Sequence, residues 1–237
     1  MGLGLHGGGL GVAKWLLRHG AELIVTDLKD QHMLAPSIDD LERLFLRLSA
    51  DADKGQLHRP RYVLGRHDEA DFINADFIVQ NPSIPRESPF LALAKKHNIP
   101  IITDATIFFS LCPFQITVVT GTKGKTTTTV LLGQMAAAYD TRTVVAGNLR
   151  VSMLDALDGL IRLGKKKNIV PPPIILELSS WQLEGLATIK KSPHISIITN
   201  VKEDHLNRYR DMDDYALAKS YAIAFQEKND WAVVNAV

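Results

Sequence analysis

The chain has 237 residues, of which 46% are hydrophobic and 22% charged, with a net charge of +1 and one cysteine, Cys112. That length holds one large domain or two ordinary ones. The balanced charge argues against nucleic acid as a partner, the strand-length apolar runs argue against a membrane span, and a lone cysteine excludes an internal disulfide or thiolate metal cluster. A cytoplasmic protein without a signal peptide is the expectation.

The chain opens on GLGLHG (2–7), which matches G-x-G-x-x-G through Gly2, Gly4 and Gly7. Glycines in that pattern let a backbone approach a pyrophosphate at a helix N-terminus. A helix over Gly11–His19 and a strand over Leu23–Thr26 follow, and Asp27 then stands where an acid accepts from a ribose or uracil group. The plainer alternative is a glycine turn that packs a helix on a sheet. The motif leaves open whether the ligand is NAD or a UDP-linked compound. A strand should precede this loop, and WAVVNAV at the other end stops inside one. Both ends therefore read as cut, and the chain as a fragment of something longer or a miscalled reading frame.

Short β-branched runs alternate with helical patterns through the rest of the chain. Strands are expected at Tyr62–Leu64, Phe77–Val79, Pro100–Thr103, Ile116–Thr120, Thr143–Ala146, Ile174–Leu178, Ile195–Thr199 and Ala232–Asn235. Helices are expected at Asp40–Leu48, Pro89–His97, Thr126–Tyr139 and Met212–Gln226. This alternation implies a parallel α/β architecture, with a break near Leu111-Cys112-Pro113 between two halves. The biased stretch GKKKNIVPPP (164–173) reads as a solvated loop entering a strand.

VVTGTKGKTTTT (118–129) is the most informative stretch. The pattern G-x-x-x-x-G-K-[ST] needs a glycine at 119, where Val119 stands, so Gly121, Gly124, Lys125 and Thr126 make a tighter loop. Strand, glycine loop and helix in this order form a phosphate cradle. Backbone N–H groups from Thr122 to Thr126 can face phosphates, Lys125 supplies charge, and the Thr126 hydroxyl can ligate Mg²⁺. Lys123 adds positive charge or points to solvent. ILELSSWQLE (175–184) is a buried strand ending on Glu177, and ITNVKEDHLNRY (198–209) brings Glu203, Asp204 and His205 to the same sheet edge. In DDYALAKSYAI (213–223), Lys219 reads from its neighbours as a snorkelling lysine.

Taken in order, GTKGKTT, GNLRVSML, ELSSWQLE and NVKEDHLNRY resemble the Mur ligases, and within them the D-glutamate-adding enzymes of peptidoglycan synthesis. GLGLHG and VQNPSIPRESP (79–89) resemble that family's UDP-holding loops. The resemblance implies a Rossmann-like, UDP-substrate-binding domain over 1–113 and a truncated P-loop ATPase-type parallel α/β domain over 114–237, without the C-terminal amino-acid-binding domain. It implies that Gly121, Thr122, Lys123, Gly124, Lys125, Thr126 and Thr127 bind ATP phosphates, with Asn148 near ATP and substrate. Thr126 and Glu177 would hold one Mg²⁺, and His205 with a CO₂-carbamylated Lys219 a second. Lys125, His205 and Lys219 would serve catalysis, and Ser179 and Gln182 would lie on the substrate side. Leu5, His6, Asp27 and Ser83 would contact the UDP-sugar.

The chain departs from the family pattern at His6, where Thr is usual, and in N-P-S-I-P (81–85), where S-P-G-I-P is typical. The implied reaction starts with the L-alanine carboxylate of UDP-MurNAc-L-Ala, which takes the γ-phosphate of ATP to give an acyl phosphate. The amine of D-glutamate then displaces phosphate. Small-molecule substrates and a monomer are expected. The rival readings are a non-catalytic UDP-sugar or nucleotide-binding fragment and an NAD-dependent dehydrogenase built on GLGLHG.

Overall fold

The structure is a computed structural model that describes residues 1–5, 7–50, 57–204 and 208–235, so His6 and His205 lie outside the described residues. The chain divides into two compact units, Met1–Asp104 and Ala105–Val237.

In the first unit, α1 (Gly8–Arg18) precedes β1 (Ile24–Asp27), α2 (Gln31–Ser49) precedes β2 (Arg61–Leu64), α3 (Glu69–Ile73) precedes β3 (Ile78–Val79), and α4 (Pro89–Lys96) precedes β4 (Ile101–Ile102). The strands pair in parallel as β1 with β2 and β3 with β4, as helical connections require. α1 turns Val12, Ala13, Trp15, Leu16 and Leu17 inward. α2 is much longer than its expected core at Asp40–Leu48. Asp30 caps it by accepting from Met33 N at 2.9 Å, and Pro36 sits inside it. A proline in a helix interior lacks the N–H for the ladder, which is why the sequence pattern broke there.

The second unit opens with α5 (Asp104–Leu111), whose first residue ends the first unit. It continues through β5 (Thr117–Thr120), α6 (Lys125–Tyr139), β6 (Val144–Gly147), α7 (Leu154–Gly164), β7 (Ile174–Glu177), α8 (Ser180–Ile189), β8 (Ile195–Ile198), α9 (Met212–Ser220) and β9 (Trp231–Val234). The five strands form one parallel sheet in the order β6-β7-β5-β8-β9. β7 is buried at all four positions and carries the centre of the core. Lys165, Lys166 and Lys167 are exposed in the loop ahead of it, as the sequence implied. From β5 the chain moves to β6 on one flank, and from β8 to β9 on the other. The loops after β5 and β8 therefore diverge, and a parallel sheet opens its ligand crevice at such a point.

α9 is shorter than the expected Met212–Gln226. The Ser192 hydroxyl inserts where the next helical bond would form: it donates to Tyr221 O at 2.8 Å and accepts from Phe225 N at 3.0 Å. Side-chain insertion of this kind ends a helix that propensity alone would continue. Among the described residues, no helix is long and apolar enough to cross a membrane.

Candidate functional site

The β5–α6 turn is built by two glycines and by the loop after β8. Gly121 has φ +146° and Gly124, the N-cap of α6, has φ +85°. A Cβ on Gly121 would run into Thr199 Oγ1. That hydroxyl donates to Lys123 O at 2.6 Å, and Asn200 Nδ2 donates to the same carbonyl at 2.9 Å. Asn200 also accepts from Thr122 N at 2.9 Å and from Lys123 N at 3.0 Å. These two amides are taken up within the protein, which leaves fewer donors to meet a ligand than the Thr122–Thr126 run expected from sequence. The amides of Lys125, Thr126 and Thr127 come before the first helical bond, Thr128 N to Gly124 O at 3.0 Å, and so form the positive end of α6. Thr126 and Thr127 are exposed there, and Lys125 Nζ donates to Thr122 O at 3.1 Å.

Beneath that turn stands Glu177, the last residue of β7, only 1% exposed. Thr126 Oγ1 donates to one carboxylate oxygen at 2.7 Å and Asn148 Nδ2 to the other at 3.0 Å. Asn148 N also donates to Glu177 O at 2.8 Å, which fixes the loop after β6 to the end of β7. Strand register does the positioning, because Glu177 lies opposite Val119 of β5 and Gly147 of β6. Hydrogen bonds to a charged acceptor contribute about 1.5–3 kcal/mol each and offset the cost of burying the carboxylate.

On the opposite flank, Lys219 is 2% exposed, with Nζ 4.7 Å from the centre of the Tyr215 ring. Burial, reinforced by the Lys125 charge and opposed by Asp204, pushes its pKa down to about 8. The snorkelling reading of Lys219 is thus replaced by a buried amine beside the phosphate loop. Lys123 Nζ reaches Asp204 Oδ2 at 3.4 Å, while Glu203 is exposed. His205 belongs to the same stretch but lies outside the described residues. Arg208 and Tyr209 pack on α8: Tyr209 donates to Glu184 at 2.7 Å, and the Arg208 guanidinium lies 4.6 Å from the Trp181 ring. Ser179 and Gln182 form the capping box of α8, with Ser179 Oγ accepting from Gln182 N at 3.3 Å and Gln182 Oε1 accepting from Ser179 N at 3.1 Å.

Sequence reading missed Thr199, Asn200 and Tyr215. Tyr215 OH lies 3.2 Å from Thr122 Oγ1, which in turn accepts from Lys202 N at 2.9 Å. Its signal was present, since it stands one helical turn before Lys219 on the same face.

In the first unit, Gly2, Gly4 and Gly7 all have positive φ. Asp27 is buried and accepts from Gly4 N at 3.1 Å and Lys29 N at 2.9 Å. Its carboxylate therefore holds the glycine loop in shape. Ser37 Oγ donates to Gly4 O at 2.9 Å. Asn81 Nδ2 donates to Gly2 O at 3.1 Å, and Asn81 Oδ1 accepts from Ser83 Oγ at 3.0 Å. Leu5 and Ser83 are exposed beside this loop, which leaves both available to a ligand. His6 lies outside the described residues.

Comparison with known proteins finds matches over both units. The Mur ligase middle domain matches residues 119–237, and the Mur ligase MurD-like N-terminal domain matches residues 1–103. A UDP-N-acetylmuramoylalanine–D-glutamate ligase from Roseiflexus sp. (strain RS-1) is 42% identical over 236 residues, covering 100% of this chain and 46% of the relative. The ligase of that name from Borreliella afzelii (strain PKo) is 44% identical over 220 residues, covering 93% and 43%. The chain thus spans less than half the length of these curated relatives. Among solved structures, UDP-N-acetylmuramate:L-alanyl-gamma-D-glutamyl-meso-diaminopimelate ligase from Neisseria meningitides matches 99% of this chain and 69% of its own at a TM-score of 0.61 and 17% identity, a likeness of fold. With a glycine loop over a buried carboxylate in one unit and a second glycine loop in the other, each inside a region that a family model matches, the chain belongs to the Mur ligase family.

Proposed function

We propose that this chain supplies the UDP-substrate and ATP sites of an ATP-dependent ligase that joins D-glutamate to UDP-N-acetylmuramoyl-L-alanine. The Thr126–Glu177–Asn148 cluster under the first turn of α6 carries the reading. It sets a hydroxyl and a carboxylate, both hard oxygen donors, beside the amides of a helix N-terminus. That donor set fits Mg²⁺ carried by a nucleotide polyphosphate. Thr126 and Glu177 would hold the ion, which on binding neutralises phosphate charge.

The chain's own groups do the rest. The first-turn amides of α6 and Lys125 hold the phosphates in line with the incoming carboxylate of the substrate, and Asn148 fixes the Glu177 carboxylate beside them. Attack of that carboxylate on the γ-phosphorus releases ADP and leaves an acyl phosphate. The amine of D-glutamate then forms the amide, losing a proton as phosphate departs. Leu5, Asp27 and Ser83 belong to the UDP side of this reading, and Ser179 and Gln182 to the substrate side through the end of α8 that they cap.

Lys219 is assigned as a carbamate. Its buried position and depressed pKa make the neutral amine accessible near neutral pH; addition to CO₂ forms an N–C bond and releases a proton. The product is an anion beside Lys125, able with His205 to hold a second Mg²⁺. Signal from ¹³C-bicarbonate at a carbamate shift in the wild-type chain, absent in Lys219→Met, is the expected result. A monomer in the cytoplasm completes the proposal. The domains are assigned as 1–113 for the UDP substrate and 114–237 for ATP.

A thermal-shift titration tests the function. UDP-MurNAc-L-Ala and Mg-ATP should each raise the melting temperature by mass action, and NAD should not. Stabilisation by NAD alone would overturn the proposal in favour of a dehydrogenase.

A further inference from the structure

The end of the second unit's sheet opposite the β5–α6 turn carries an unbalanced charge. All five strands run in parallel, so the helices return the chain to that end, and the segments entering β7, β5 and β8 lie side by side at its centre. Two contacts join these segments into one surface. Gly164, the last residue of α7, lies so near Pro113 that an added Cβ would run into its ring, and Lys191 Nζ, just past α8, donates to Phe109 O of α5 at 2.9 Å.

Lys165, Lys166, Lys167, Lys190 and Lys191 are all exposed there, and the segments 109–115, 164–173 and 190–194 hold no acid. Acids at this end stand on its flanks, Asp140 ahead of β6 and Glu227 and Asp230 ahead of β9. Asp140 already pairs with Arg142 at 2.6 Å, and Asp230 with His194 at 2.8 Å. The chain as a whole has a net charge of only +1, so these lysines without an acid among them make a local excess.

Apolar side chains stand among the lysines. Val170 is 67% exposed in the loop ahead of β7, and Leu111 is 43% exposed at the end of α5. Pro171, Pro172 and Pro173 follow Val170. Proline fixes its own φ and holds the residue before it extended, so the stem that presents Val170 is stiff. No aromatic ring of the three segments is exposed, and so the surface lacks the planes on which nucleic-acid bases stack. Cations around exposed aliphatic side chains instead match a surface that is negative outside and apolar beneath.

We propose that this end of the sheet docks on an anionic lipid bilayer, with the lysines against headgroup phosphates and Val170 and Leu111 entering the boundary of the acyl layer. Lysine stems lie along the apolar boundary while their ammonium groups stay wet. Such docking needs no membrane-spanning helix. Every residue it uses lies between Leu111 and Lys191, in the interior of the sequence. Thr126 and Glu177 lie at the other end of the strands, turned away from the bilayer.

The test is sedimentation of the 237-residue chain with vesicles made of equal parts phosphatidylglycerol and phosphatidylcholine, in about 0.1 M salt. Saturable binding is expected, about tenfold or more tighter than to phosphatidylcholine alone. Lys165→Gln with Lys166→Gln should weaken it about tenfold. Lys95→Gln with Lys96→Gln, an equal loss of charge from the end of α4, should leave it within about twofold. Val170→Ser should weaken it about threefold or more with the charge unchanged. These exposed positions leave the melting temperature unchanged, which separates lost binding from lost folding. The proposal is overturned by no binding to the anionic vesicles, by equal binding to phosphatidylcholine, by the two lysine pairs having the same effect, or by a Val170→Ser chain that binds as tightly as wild type. Tighter binding to duplex DNA than to the vesicles would assign the surface to nucleic acid and overturn it as well.

Discussion

Glu177 is the residue on which the site turns. Its carboxylate is buried at the end of β7 and engages the Thr126 hydroxyl and the Asn148 amide at once. Glu177→Ala should destabilise the chain by about 1–3 kcal/mol in urea unfolding, since both donors lose a charged acceptor. It should also remove the contribution of Mg²⁺ to ATP affinity; a variant that kept the full Mg²⁺ dependence would place the ion elsewhere. Lys219 gives a prediction with a sign. The unfolded chain holds it protonated up to about 10.5, the folded chain only up to about 8. Between those values the unfolded state binds more protons, so stability rises with pH across that window. Below it the cost of burying the ammonium is present in full. In CO₂-free buffer, Lys219→Met should therefore be more stable than wild type at pH 7, by roughly 1–3 kcal/mol, and the difference should shrink as pH climbs from 8 to 10.5. A constant difference across that range would mean that Lys219 is not charged and buried.

At the scale of elements, the β5–α6 turn and the start of α8 carry separate expectations. Gly121→Ala puts a Cβ against Thr199 Oγ1 at a φ that side chains rarely adopt. It should cost roughly 1–3 kcal/mol and abolish Mg-ATP binding. Gly159→Ala is the contrast: it lies inside α7 with nothing within 4 Å of an added Cβ. It should raise stability by about 0.5–1 kcal/mol without touching nucleotide binding. Urea titrations of both variants check the pair. These two glycines also mark what was legible in sequence. The strands and the phosphate loop could be read because β-branched runs, glycine spacing and a following lysine act over a few residues. The full length of α2 could not, because Pro36 breaks the local pattern while the Asp30 cap and tertiary packing carry the helix through it. The end of α9 was also hidden, since Ser192 reaches Tyr221 and Phe225 across 29 and 33 positions of sequence. Asn200 was hidden for the same reason, as its contacts to the phosphate loop span 77 positions.

For the whole molecule, the two units bear the two loops separately: the GLGLHG loop lies in Met1–Asp104 and the phosphate loop in Ala105–Val237. Family matches divide in the same way, over 1–103 and 119–237. A UDP ligand and a nucleotide triphosphate should therefore act on different cooperative transitions in calorimetry, each raising its own. A single transition raised equally by both would contradict that division of labour. The proposed function rests on Lys125, Thr126 and Glu177 as an ATP-phosphate site. Isothermal titration of Mg-ATP into the wild-type chain and into Lys125→Ala tests it most directly, with EDTA present in a parallel run. Saturable binding to the wild type is expected, weakened about tenfold or more in Lys125→Ala and weakened also in EDTA. Equal affinities for the two chains, or binding indifferent to EDTA, would contradict it.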